Sequence, residues 1–328
     1  MTSARLLTLA SHDYRSAVRN RVLAALLVTL IIVTTVSVLI AAFDYQTKID
    51  EYRAYKDAAA ASGIENVAPL QVKPLQLLRP VVEYVEYVGG VIAIALGYLS
   101  VARERANRTL WLLRTRPVTT AELTFGPALG ALGLIATLVV GTAVIGVVSI
   151  GIWGHDWLNG EEVVRVVLWC VASIVYMGVF YCLGAALTAR CRVLANGLVA
   201  ALVVWLVVVL IIPQIGDTMD PDNQLPGGLF KALNLDKDHE TRVLAEFSTY
   251  ERLRNDLEET SFAKHYERFS FAILEVKVKD KFRDVSISQA ASAAQRNIVW
   301  MVVYAVLLAG ALYLSVRRST AHPKGEDA

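Results

Sequence analysis

The sequence predicts an all-α membrane protein with six transmembrane helices, and three observations lead to this fold class. Apolar residues make up 55% of the 328 residues and charged residues only 19%, which is unusual for a soluble domain. The apolar residues are concentrated in runs that reach the about 20 residues needed to cross a bilayer. Basic residues cluster on alternate connections between these runs. The six runs are 22–43, 81–102, 124–153, 163–189, 194–213 and 297–316.

The distribution of charge predicts which ends of the spans lie in the cytoplasm. If residues 1–21, 103–123, 190–193 and 317–328 are inside, they contain 14 Lys and Arg against five Asp and Glu. The remaining segments then contain 18 basic and 25 acidic residues. Because cytoplasmic loops carry an excess of Lys and Arg, we expect a multi-pass protein of the plasma or inner membrane with both termini in the cytoplasm.

Residues 1–21 precede the first span and combine four arginines with apolar residues near helical spacing, among them Leu6, Leu9 and Tyr14. This pattern predicts an amphipathic helix that lies in the inner membrane interface. The alternative is an unstructured basic tail. The first apolar run has no small-residue cleavage site, so we interpret it as a retained span and not as a signal peptide.

The connection between the second and third spans, residues 103–123, is short and strongly basic. It contains five arginines and only two acidic residues. Leu110, Trp111 and Leu113 add a small apolar surface beside the cations, which predicts a short helix across the membrane face. A surface that is both cationic and apolar is suited to contact with a partner protein.

A sharp break divides this basic loop from the third span. Pro117 ends the short helix, since a proline disfavours the helical conformation of the residue before it. Thr119 and Glu122 have the spacing of a capping box, and Val118 and Leu123 supply the hydrophobic staple around it. Retention of positive charge on the inside would explain the arginines but neither the break nor the cap. The loop is therefore predicted to be a docking surface.

The loop resembles the coupling loop of the membrane subunits of type-2 ABC transporters, in which a coupling helix docks on the ATP-binding subunit. The residues that carry the match are Glu104, Thr109, Leu110, Leu112, Leu113, Pro117, Val118, Glu122 and Leu123. Arg108 stands where the family usually has Gly, and Gly126-Pro127 stands where it has Gly-Lys, so the role of that lysine is not carried over. The resemblance assigns partner docking through the loop 103–118 to Glu104, Arg105, Thr109, Leu110, Leu112, Leu113 and Pro117.

The resemblance implies that this chain is the permease subunit of an ATP-driven transporter, of the exporter type. The implied complex is a homodimer of the permease with two ATP-binding subunits, which would hold ATP and Mg²⁺, so no cofactor is expected in this chain. The alternative is a membrane subunit that transmits ATP-driven motion to an envelope partner without moving a solute. The aliphatic spans fit a lipid-like or amphipathic cargo slightly better than an ion.

Two larger polar segments are predicted on the outer side, residues 44–80 and residues 214–296. The second divides the chain into a membrane domain (1–213), an extracytoplasmic insertion (214–296) and a last span with a cytoplasmic tail (297–328). Two sets of apolar residues in the insertion recur at helical spacing and predict at least two amphipathic helices. The sets are Val243, Phe247, Tyr250, Leu253 and Leu257, and then Phe262, Tyr266, Phe269 and Ile273.

Glu83 and Glu86 lie at the outer end of the second span, three residues apart and therefore on one helix face. An ionisable pair at membrane depth is a candidate functional site, because exposing it to lipid is costly. We prefer the interpretation that both carboxylates reach water at the outer interface. If they face the bundle instead, the candidate partners are Arg79 and Arg165.

The third span contains six glycines, of which Gly126 and Gly130 have the spacing that lets helices approach closely in lipid. We interpret them as packing positions and not as a ligand site.

The sequence lacks the common motifs for nucleotide binding and for metal binding. It contains neither a phosphate-binding Gly-x-x-x-x-Gly-Lys-Ser/Thr loop nor a His-Glu-x-x-His metal motif. Its five histidines are scattered through loops and termini, and its three cysteines lie in or beside apolar runs, so no metal site is predicted. We therefore expect a subunit without catalytic residues of its own.

Overall fold

A computed structural model describes residues 3–62, 74–106, 119–153, 157–219, 248–276 and 285–321, together with His239 and Arg242. Within these residues every element of regular secondary structure is helical. Six helices are long and apolar enough to cross a membrane, which confirms the predicted fold class. They are span 1 (Arg21–Ala61), span 2 (Pro74–Arg105), span 3 (Thr120–Trp153), span 4 (Gly160–Arg190), span 5 (Leu194–Met219) and span 6 (Gln295–Ser319).

Polar caps define where several helices begin. The predicted capping box before span 3 is confirmed, because the Glu122 carboxylate accepts from Thr119 N at 2.9 Å and Glu122 N donates to Thr119 Oγ1 at 3.3 Å. Span 4 begins with a second capping box formed by Asn159 and Glu162. These bonds satisfy backbone N–H groups that have no partner inside the helix.

Span 4 forms the centre of the bundle and contacts spans 2, 3, 5 and 6. Spans 2 and 4 touch through their backbones. A Cβ atom at Gly97 would lie 2.3 Å from Tyr181 O, and one at Gly184 would lie 2.6 Å from Ile94 O. Glycine is therefore required at these two positions for the close approach, as in other small-residue contacts between membrane helices.

The predicted N-terminal helix is present and spans Ser3–Val18. It packs along span 3, where Gly126 lies against Leu9 and Gly130 against the backbone of Ala10. A Cβ at Gly130 would come within 2.4 Å of Ala10 O. The interpretation of the two glycines as packing positions is confirmed, and the helix they accommodate is the N-terminal one.

Span 1 extends well beyond the predicted apolar run 22–43 and continues as one helix to Ala61. Its 41 residues are about 62 Å long, roughly twice the thickness of the hydrocarbon core. The extension is polar but favours a helix, because Asp44 pairs with Lys48 at 2.5 Å one turn later and alanines follow. The apolar run 22–43 therefore ends inside this helix and not at its C-terminal end.

The insertion contains the helices Ser248–Glu259, Phe262–Ile273 and Ile287–Ala293. Both predicted amphipathic helices are thus present over their described parts, whereas Val243 and Phe247 lie outside the described residues. We call Phe262–Ile273 the inserted helix, because nine of its 12 residues are buried. It packs against spans 4 and 6 and the first turns of span 2, which the sequence pattern did not predict.

Two ends of the bundle are distinguished below. The loop end carries the N-terminal helix, the described ends of the connection 103–123 (residues 103–106 and 119–123) and the turn between spans 4 and 5. The insertion end carries the helices between spans 5 and 6 and the start of span 2.

Candidate functional site

The centre of the predicted coupling loop, residues 107–118, lies outside the described residues. Partner docking by Thr109, Leu110, Leu112, Leu113 and Pro117 therefore stays a prediction. Glu104 and Arg105, at the point where span 2 enters the loop, are described and partly buried. Their contacts define the base of the loop.

Arg105 is bonded to the end of span 4. Its guanidinium donates to Cys191 O at 2.8 Å and to Ala189 O at 2.7 Å, and Ser319 of the span 6 helix donates to the same Ala189 carbonyl at 3.1 Å. The last carbonyls of a helix have no intrahelical donors, and a cation there also favours the helix dipole. Arg105 thus ties the base of the loop to the centre of the bundle.

Arg103 connects the same region to the N-terminal helix. It forms an ion pair with Asp13 at 3.2 Å and donates to Leu99 O within its own helix at 3.0 Å. Burial raises the pKa of Asp13, and the charge of Arg103 opposes that rise. Glu104 lies within electrostatic range of both side chains. The N-terminal helix, span 2 and span 4 therefore meet at the base of the loop.

At the insertion end, the structure separates the two glutamates that the sequence placed on one face. Glu83 is partly exposed and pairs with Arg79 at 2.9 Å, which agrees with the preferred interface interpretation. Glu86 is only 2% exposed and faces the protein, so that interpretation is wrong for Glu86. A turn of π-helix at Val85–Gly89 begins between them, and its wider winding changes the direction of the second side chain.

Arg165 was named as a candidate partner of this pair, and it has other partners. Its buried guanidinium donates to Ile273 O at 2.9 Å and pairs with Glu161 at 2.9 Å and Glu275 at 3.1 Å. Arg165 thus fixes the end of the inserted helix to span 4. A test of Glu86 by changing Arg165 would consequently address a different contact.

The cation near Glu86 is Lys264 of the inserted helix, which reasoning from the sequence missed. Lys264 pairs with Glu267 at 3.0 Å and with Asp217 at 3.6 Å, and it lies within electrostatic range of Glu86. Burial lowers the pKa of Lys264, but the neighbouring carboxylates outweigh burial and raise it above its usual value. The available signal was the Lys-x-x-Glu spacing on the polar stripe of a predicted helix.

Aromatic side chains join the inserted helix to span 4 close to the charged group around Lys264. Tyr266 receives a hydrogen bond from Trp169 Nε1 at 3.1 Å, shares one with Ser173 at 2.8 Å, and stacks on Tyr176 with a centroid separation of 4.4 Å. Tyr176 in turn donates to the backbone carbonyl of Glu86 at 2.9 Å. A helix that is buried on most sides is thus held by satisfied polar groups as well as by apolar packing.

A second π-helical turn occurs in span 5, at Leu206–Ile211. Ser261, which caps the inserted helix, donates to Val208 O in this turn at 2.7 Å. Both π-helical turns therefore receive a side-chain hydroxyl at a backbone carbonyl, and both contact the inserted helix. Such turns often occur at functional sites, so the insertion end is the second candidate region.

Comparison with protein families identifies the chain. A family model described as ABC-2 family transporter protein matches residues 7–318, which is nearly the whole sequence. The chain belongs to the ABC-2 family of transporter proteins. A search of the curated proteins gave no match.

As an ABC-2 transporter protein, the chain is a multi-pass membrane subunit of the permease type and is not itself the catalytic subunit. The family works in general with ABC ATP-binding partners, which agrees with the resemblance of the loop 103–118 to a coupling loop. Across the described ranges, no group of three or more His, Cys, Asp and Glu is placed to hold a metal ion.

Proposed function

We propose that this ABC-2 subunit couples ATP hydrolysis by a separate chain to export of a solute across the membrane. Two copies of the permease would pair with two ATP-binding subunits, which hold ATP and Mg²⁺. Nucleotide-driven closure of those subunits would act on the loop 103–118. A nucleotide drives such a change only if it favours one arrangement of the bundle over another.

The observation that supports this proposal best is the bonding at the base of the loop. Arg105 joins it to the end of span 4, and Arg103 joins it to Asp13 of the N-terminal helix. A force on the loop would therefore reach the central span directly and span 3 through the N-terminal helix that packs on it.

The test replaces Leu110 and Leu113 with Asp in the complex with its ATP-binding subunit. Two carboxylates in an apolar docking patch would be desolvated without partners, so co-purification of the ATP-binding subunit or its stimulated ATPase activity should be lost. The control is Leu253→Asp, because Leu253 is 62% exposed in the insertion. If the double variant behaves like this control, the loop is not the docking site.

One observation favours the alternative of a subunit that transmits motion to an envelope partner. Span 1 continues as a single helix for 41 residues, so about half of it projects beyond the hydrocarbon core. A helix that crosses the membrane and projects on the insertion side would carry movement to a partner there. Under this alternative, deletion of residues 45–60 would abolish the envelope function but leave co-purification of the ATP-binding subunit intact.

A further inference from the structure

At the insertion end, three of the described carboxylates lie near a single lysine. Lys264 is shared by Glu267 at 3.0 Å and Asp217 at 3.6 Å, and Glu86 is a third carboxylate within its electrostatic range. Two arginines that the structure describes in this region are engaged elsewhere. Arg79 pairs with Glu83, and Arg268 pairs with Glu258.

Glu86 is buried, and no cation of the described residues contacts its carboxylate. It is 2% exposed, and among the described residues no Lys, Arg or His nitrogen lies within 4 Å of its carboxylate. Buried carboxylates are normally paired with a cation or protonated, because an isolated charge in a low-dielectric environment is costly. Among the described residues, an ionised Glu86 therefore has no cation in contact with it.

The surroundings of Glu86 are aromatic as well as acidic. Tyr87 is 40% exposed and close enough to Glu86, Glu83 and Glu267 to interact with them electrostatically. Tyr176, whose hydroxyl donates to the Glu86 carbonyl, is fully buried and stacked on Phe262 and Tyr266, so Tyr87 supplies the accessible ring. Faces of aromatic rings attract ammonium groups, and a carboxylate beside such rings adds charge complementarity.

The carboxylates also form a graded series from solvent to the interior. The side chain of Asp217 is 53% exposed, that of Glu267 is 25% exposed, and Glu86 is 2% exposed. A cation that approaches the insertion end would meet progressively less hydrated carboxylates. Electrostatic attraction between a cation and a carboxylate becomes stronger as the local dielectric falls.

We propose that Glu86, Glu267 and Tyr87 form a binding site for the positively charged head group of an amphiphile, an ammonium group in particular. The ammonium group of Lys264 lies at the edge of this site, and the ligand competes with it for the carboxylates. The apolar chain of the ligand would lie along the aliphatic spans. The site itself is independent of the ATP-binding subunit, and only its use for cargo rests on the proposed function.

The experiment measures binding of decyltrimethylammonium to the purified full chain in lipid nanodiscs by isothermal titration calorimetry. Decyl sulfate, with the same alkyl chain and the opposite charge, is the reference probe. We expect saturable binding that is selective for the cation. Glu86→Gln should weaken this binding about tenfold, since it removes a charge-assisted contact. Lys264→Gln should strengthen it severalfold, because the competing cation is lost.

Glu83→Gln is the matched control, since Glu83 lies on the same span and is already paired with Arg79. It should change the affinity less than twofold. Equal binding of both probes, or unchanged binding in Glu86→Gln, would overturn the proposal and indicate partition into lipid and a neutral Glu86. If Glu86→Gln does not fold, Glu267→Gln provides the same test. Loss of ATPase coupling in the Leu110 and Leu113 variants, by contrast, leaves this assay unaffected.

Discussion

Single arginines join parts of this chain that lie far apart in the sequence. Arg105 reaches a carbonyl 86 residues further along the sequence, and Arg165 reaches one 108 residues further along. Both side chains donate to backbone carbonyls at the ends of helices, where no intrahelical donor is present. A guanidinium suits this position, because its several N–H groups satisfy two carbonyls at once.

Replacing Arg105 with Met should destabilise the protein by about 2 kcal/mol, because two carbonyls lose a charged donor. The same variant should reduce the ATPase activity that the permease stimulates in its partner. Thermal unfolding in detergent and a coupled ATPase assay measure the two effects. Arg192→Met is the control, since Arg192 is exposed at the same end of the bundle. Equal behaviour of the two variants would remove Arg105 from the coupling path.

His265 should make the stability of the insertion end depend on pH. Burial lowers its pKa below the usual 6.5, Arg268 lowers it further, and the Asn297 hydrogen bond opposes the shift. Because the unfolded chain binds the proton more readily, the stability is complete above about pH 6.5 and falls as the pH decreases towards the folded pKa. The melting temperature should therefore decrease as the pH is lowered from 7.5 to 5.

The variant His265→Gln should show a smaller decrease of the melting temperature over the same pH range. The exposed His12 provides the control, and His12→Gln should retain the pH dependence of the unchanged protein. If both variants retain it, the titrating group lies elsewhere.

At the scale of elements, glycines decide which helices can touch. Gly130 accommodates the backbone of Ala10, whereas a Cβ added at Gly141 in the same span would meet no atom of the described residues within 4 Å. Gly130→Ala should therefore displace the N-terminal helix from span 3, and Gly141→Ala should leave it in place. Cleavage by trypsin after Arg5 and Arg15 measures this displacement. Equal cleavage in both variants would contradict the packing described for this helix.

The sequence predicted the helices better than it predicted their surroundings. The six spans follow from length and hydrophobicity, and the start of span 3 follows from the local Thr119 and Glu122 spacing. The neighbours of Glu86 do not, because Lys264 lies 178 positions away and only the packed structure brings the two together. For the same reason, the pattern of the inserted helix revealed its apolar face but not the depth to which it is buried.

At the scale of the whole molecule, the charge distribution predicts that the insertion end faces outward. A cysteine introduced as Asn255→Cys, at an exposed position, should then react with a membrane-impermeant maleimide in intact cells. The background carries Ala at Cys170, Cys182 and Cys191. Arg192→Cys in the same background should react only after lysis. Labelling of Arg192→Cys in intact cells, with labelling of Asn255→Cys only after lysis, would show that the topology is the reverse of the one predicted.

The bonds of Arg165 also have a consequence for how the protein is made. Its acceptors include Ile273 O and Val285 O, which are synthesised up to 120 residues after the arginine itself. At ~5–20 residues per second, a ribosome needs on the order of ten seconds to supply them. During that interval span 4 has been synthesised, but Arg165 still lacks these two acceptors. Substitutions that disturb residues 273–276 should therefore reduce the amount of protein that matures, before any effect on its activity can be measured.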